Sequence, residues 1–140
     1  MIKTFRDRIA TGETQKIRIR TNNGLTGYKI VKFEVVTINP VSSSPEAVLK
    51  IFTTESTATA DAVIDFTVPT LIASAFYENH GNSYDFGGNV ITSDTKKFNQ
   101  DLFITCSSTD GDMNYHLELE QVKLAIDEAT VATLKDMRAS

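Results

Sequence analysis

Short runs of alternating apolar and polar residues, each cut off by a turn signal, constrain this chain more than any other feature. In Gln15–Thr21 (QKIRIRT), Ile17 and Ile19 share one parity while Lys16, Arg18 and Arg20 share the other. That period of two is the mark of a half-buried strand. Asn23-Gly24 follows and supplies the positive φ of a tight turn. Gly27–Ile38 is a long β-branched and aromatic run ended by Pro40. Its apolar parity changes midway, from Ile30 to Val31, Phe33 and Val35 and then to Val36 and Ile38, which predicts a bulge or burial on both faces.

Further strands are predicted over Ala47–Thr53, Ala62–Phe66, Leu71–Tyr77, Val90–Thr92, Gln100–Cys106 and Tyr115–Leu124. Leu71–Tyr77 also fits helical spacing, and we assign it to strand. Val122 and Leu124 fall out of step with Tyr115, Leu117 and Leu119, so a second bulge is expected there. Gly111 marks the sharp point of the turn before the last strand. No strand–helix–strand alternation is visible. About eight short strands then imply an all-β chain, an antiparallel β-sandwich of jelly-roll type.

The chain closes on a different period. Asp127 is placed to cap a helix, with Ile126 and Val131 as a hydrophobic staple, Glu128 at its positive end, and Lys135 and Arg138 at its negative end. Val131, Leu134 and Met137 mark one face. A helix this short needs a surface to lean on. We therefore expect an N-terminal arm over 1–14, a sandwich over 15–125, and a C-terminal helix over 126–140 packed on the sandwich or on a neighbouring subunit.

Composition narrows the function. A chain of 140 residues buries a full core without staples, and its single cysteine, Cys106, forms no intramolecular disulfide. The net charge of −4 argues against nucleic acid and anionic membranes as partners. No apolar stretch is long enough to span a bilayer, and the N-terminal residues do not read as a signal peptide.

Chemical motifs are weak. Cys106 and His116 flank one turn, but a thiol in an alternating apolar run is more simply a core residue. Asp110, Asp112 and Asn114 alternate as calcium ligands do, without EF-hand spacing. No zinc or phosphate-loop signature occurs. We expect no catalytic residue, no metal site and no cofactor. Lys16, Arg18 and Arg20 form a basic stripe and Glu118 and Glu120 an acidic one; were their strands neighbours, the charges would pair across the sheet.

Asn22–Val35 (NNGLTGYKIVKFEV), Phe98–Thr105 (FNQDLFIT) and Asn114–Arg138 (NYHLELEQVKLAIDEATVATLKDMR) resemble small proteins encoded by marine tailed bacteriophages. The resemblance implies a jelly-roll structural protein of the virion, decorating or cementing the capsid, made in the host bacterial cytoplasm. Its partners would be the major capsid protein or neighbouring copies, with homo-oligomerisation expected. The interface residues expected on this reading are Ile2, Phe5, Arg18, Arg20, Val131, Leu134 and Met137. The alternative is a tail, neck or host-facing module in which Tyr77, His80, Tyr84 and Phe86 stack on glycan faces.

Overall fold

The computed structural model describes residues 2–19, 25–42, 45–79, 86–93 and 96–124. Eight strands form two antiparallel sheets: β1 (Ile2–Ile9), β2 (Thr14–Ile17), β3 (Thr26–Thr37), β4 (Glu46–Phe52), β5 (Leu71–Asn79), β6 (Phe86–Thr92), β7 (Leu102–Ser108) and β8 (Met113–Lys123). The order is β1-β8-β3 in the smaller sheet and β2-β7-β4-β5-β6 in the larger.

The alternation of the sequence becomes the two faces of each sheet. From the smaller sheet Ile9, Tyr28, Ile30, Phe33, Met113, Tyr115, Leu117 and Leu119 enter one core; Ile17, Ala47, Leu49, Ile51, Ala73, Ala75, Tyr77, Leu102, Ile104 and Cys106 enter it from the larger. Burial of this shared apolar surface is the main force holding the sheets face to face. The β1–β2, β3–β4 and β7–β8 connections pass between the sheets at one end of the molecule. Gly12 and Gly111, at φ 81° and 82°, turn the β1–β2 and β7–β8 corners. The Gly12 N–H donates to the Cys106 carbonyl at 2.7 Å, which ties the first corner to β7. Tyr28 and Phe98 exchange backbone hydrogen bonds at 2.7 and 2.9 Å, so the segment ahead of β7 is laced to β3.

Several expectations change. The arm expected over 1–14 is a strand: Ile2–Ile9 pairs in full with β8, and Thr14 already belongs to β2. The strand expected over Ala62–Phe66 is absent, and Val63 and Phe66 are exposed. They lie on a long excursion, residues 53–70, carrying one 3-10 turn at Glu55–Thr57. The bulge in Gly27–Ile38 exists, between Ile30 and Lys32, and Val31 is the extra, exposed residue. The second bulge, expected in β8, is not there; β8 keeps unbroken register with β3 from Leu119 to Lys123, and the irregularity lies at Val31 of β3. Leu71–Tyr77 is strand, extended to Asn79. The helix expected over 126–140 lies outside the described residues.

The excursion over 53–70 has one strong anchor. Lys50 points to the outer face of the larger sheet, yet its side chain is only 2 % exposed. Its ammonium donates to Thr59 Oγ1 at 3.1 Å, Asp61 Oδ1 at 2.7 Å and the Val63 carbonyl at 2.7 Å. Three donors thus meet three acceptors, which is what a buried ammonium requires. The Lys50 hydrogen bond holds the Asp61 carboxyl below its usual range, with the Val63 backbone N–H adding to the effect. Beside it, Val48 and Phe52 are buried on the same outward parity of β4.

Candidate functional site

The outer face of the smaller sheet is the best-defined polar surface among the described residues. Its strands present side chains in rows fixed by register. Arg6, His116 and Glu34 form one row; Arg8, Asn114 and Val36 form the next. Thr4, Glu118 and Lys32 precede them, and Ile2, Glu120 and Lys29 come first. Directly opposed side chains in antiparallel strands interact, so opposite charges stabilise such rows.

Within the rows, Arg6 Nε donates to His116 Nδ1 at 2.6 Å. An acceptor at Nδ1 places the proton of the neutral ring on Nε2, which lies 3.6 Å from Glu118 Oε2. Lys29 pairs with Glu120 at 3.5 Å, and Lys32 with Glu34 along β3 at 3.3 Å. Arg8 Nε meets Asp112 Oδ2 at 2.7 Å, closing the corner. A trough of about 470 Å³ runs between the Arg6–His116–Glu34 and Arg8–Asn114–Val36 rows. Its floor is the backbone of Asp7, Tyr115 and Val35, the residues between those rows.

The catalytic pairing imagined for Cys106 and His116 is not assembled. Cys106 lies in the core on β7, fully buried. His116 takes the outward parity on β8 in the other sheet, bonded to Arg6. Burial pushes the Cys106 thiol up to about 11, and the charges of Asp112 and Glu13 add to the effect. A thiol so placed is a poor nucleophile at neutral pH. Asp112 of the calcium-like alternation is engaged by Arg8. Among the described residues, no group of three or more His, Cys, Asp and Glu side chains is placed to hold a metal ion. Nor is any helix there long and apolar enough to cross a membrane.

The expected interface residues divide. Ile2 is 50 % exposed, and Arg18 is exposed beyond the end of β2. Phe5 is half-buried against the core and so is only partly available to a partner. Arg20, Val131, Leu134 and Met137 lie outside the described residues. The basic and acidic stripes do not meet, because β2 pairs with β7 and not β8. Lys16 instead reaches Asp101 at 3.4 Å, and Glu118 and Glu120 face Lys32 and Lys29 on β3.

The glycan-loop reading loses a member. Tyr77 is buried in the core at 3 % exposure and cannot stack on a sugar. Phe86 begins β6, while His80 and Tyr84 lie outside the described residues.

The sequence does not single out Arg6 and Glu34, because lone charged residues on alternating strands look like ordinary solvated faces, and Asn114 stands out only in the calcium-like alternation. Lys50 was legible in principle: a single lysine inside AVLKIFT interrupts an apolar run that is otherwise buried on both parities. No protein-family model, curated protein or solved structure matches this chain.

Proposed function

We propose that this chain is a non-enzymatic structural protein of a phage virion, of the capsid-decorating or cementing kind, acting by adhesion between subunits. The observation that carries the reading furthest is the strand order. The orders 1-8-3 in one sheet and 2-7-4-5 in the other match seven of the eight strands of a jelly roll and support that reading, while β6 lies beside β5 where a jelly roll sets it beside β3. Jelly rolls recur in capsid proteins. The phage-like segments over Asn22–Val35, Phe98–Thr105 and Asn114–Arg138 support the same reading. A stiff core with charged rows on one outer face suits an adhesive role, since symmetric arrays multiply weak contacts.

The test is the chain's place in a particle. Cryo-electron microscopy of particles carrying it is expected to find it on the capsid shell at a fixed copy number. A truncation lacking Asp127–Ser140 that stays folded is expected to lose attachment. A folded protein that never binds shells would end this reading.

A host-facing module that binds glycans is the second reading. The trough beside Arg6, Glu34, His116 and Asn114 favours it, because sugars are held by such convergent polar side chains. Binding on a glycan array lost in both Glu34→Ala and Asn114→Ala would move the assignment there.

A further inference from the structure

The edge strand β1 has a self-complementary charge pattern, and we infer that it pairs antiparallel with β1 of a second copy about a two-fold axis through Phe5. This deepens the adhesion reading, and rests on it, by naming the surface and the partner.

β1 is the edge of the smaller sheet, paired with β8 on one side only among the described strands. Backbone groups on a strand alternate in direction. The Arg8 carbonyl accepts from Gln15 Nε2 at 2.7 Å, and the Arg8 N–H donates to Asp7 Oδ1 at 2.7 Å. Arg8 therefore directs its backbone away from β8, and by alternation so do Ile2, Thr4 and Arg6. Side-chain groups satisfy Arg8, which leaves Thr4 and Arg6 as the open part of the edge. Unpaired strand edges of this kind are templates for another strand.

The charges choose the register. A two-fold axis normal to the sheet sets a central residue against its own copy and keeps inward side chains with inward ones. Centring on Lys3, Arg6, Asp7 or Arg8 opposes like charges directly. Centring on Thr4 sets Lys3 against Phe5 and Ile2 against Arg6, so Lys3 meets no opposite charge. Centring on Phe5 sets Lys3 against Asp7 of the second copy, twice, with Thr4 against Arg6 and Ile2 against Arg8. Nothing of like charge is then opposed.

In that register Thr4 and Arg6 exchange backbone hydrogen bonds across the axis. Lys3 and Asp7 fall in the closer, non-hydrogen-bonded pairs, where side chains approach best. In the single chain neither has an ionic partner among the described residues. The Lys3 ammonium lies over the Tyr28 ring at 5.1 Å, and Asp7 is exposed. Charges on the inward parity of an edge normally repel a passing strand. Across this axis each neutralises the other, so the edge rejects general partners and accepts its own copy. The product is one continuous sheet, β3-β8-β1-β1-β8-β3.

Sedimentation of the full chain across a concentration series tests this. The wild type is expected to dimerise reversibly and more weakly as salt rises. Lys3→Glu and Asp7→Lys each place like charges in both close pairs and should raise the dissociation constant on the order of tenfold or more. The swap Lys3→Glu/Asp7→Lys restores opposite charges and should recover the dimer. Thr4→Pro removes an N–H that points away from β8, so it should abolish dimerisation while circular dichroism shows the fold intact. A wild type that stays monomeric at millimolar concentration, a dimer indifferent to Thr4→Pro, or a swap that recovers nothing would overturn the inference. Shell attachment is scored separately. A dimer that binds no shell sinks the adhesion reading alone, and a shell-binding protein that stays monomeric in sedimentation sinks the edge pairing alone.

Discussion

At the scale of single residues, Lys50 has the largest consequence. Its stem packs under residues 53–70 and its ammonium binds Thr59, Asp61 and Val63. Lys50→Ala removes both functions and should cost about 2–3 kcal/mol in urea denaturation. Lys50→Met keeps the stem volume and should lose less. Both should raise hydrogen exchange of residues 59–66, because the anchor is gone. Cys106 and Tyr115 make a second prediction. Burial is the first cause raising each group, Cys106 to about 11 and Tyr115 to about 12. An acid raised on folding supports the fold only while both states keep its proton. Stability is therefore full below the unfolded values, near 9 and 10, and falls as pH climbs through 11 and 12. Cys106 alone accounts for roughly 3 kcal/mol of this loss. Denaturation midpoints at pH 8, 10 and 11 (roughly spaced around these values) would trace it, and native Cys106 should resist thiol reagents at neutral pH.

Among the elements, the β3–β8 pair is the most tightly fitted. Leu124 follows β8, is buried, and donates its N–H to the Leu25 carbonyl at 2.6 Å. A side chain at Gly27 would meet Leu124 Cδ1 at 2.9 Å. Glycine is needed there because the leucine occupies the space, not for its backbone freedom. Gly27→Ala should shift Leu124 by a few tenths of an ångström. Gly27→Val should lose about 2 kcal/mol by overpacking, read as a lowered melting temperature. The bulge at Val31 resets the parity of β3, so that Ile30 and Phe33 both enter the core while Val31 is exposed. A bulge bends its strand and increases the local twist.

For the whole molecule, the first and last described strands lie side by side. β8 is central to its sheet and β1 covers one flank of it. Removing residues 1–9 would uncover Leu117 and Leu119 and take Ile9 from the core. That truncation should fail to give a cooperative thermal transition, whereas a detachable arm would leave one intact. Pairing of strands this distant along the chain also implies folding in milliseconds to seconds, measurable by stopped flow.

The chain determined its own local states. Alternation in QKIRIRT and YHLELE assigns strand and face, and glycine at 111 assigns a turn, because these depend on neighbours a few residues away. The parity break near Val31 was likewise readable as a bulge. Which strands pair was not. The basic strand of Lys16 and the acidic strand of Glu118 and Glu120, whose charges would pair were they neighbours, lie in different sheets, and IKTFRDRI carries no mark separating a docked edge from a free arm. Residues Ala62–Phe66 have strand composition but no partner strand, and Lys50 draws them over the sheet instead. Pairing is decided by which apolar faces bury one another and which buried charges find acceptors. Both depend on residues far apart in sequence, so only the tertiary structure could settle them.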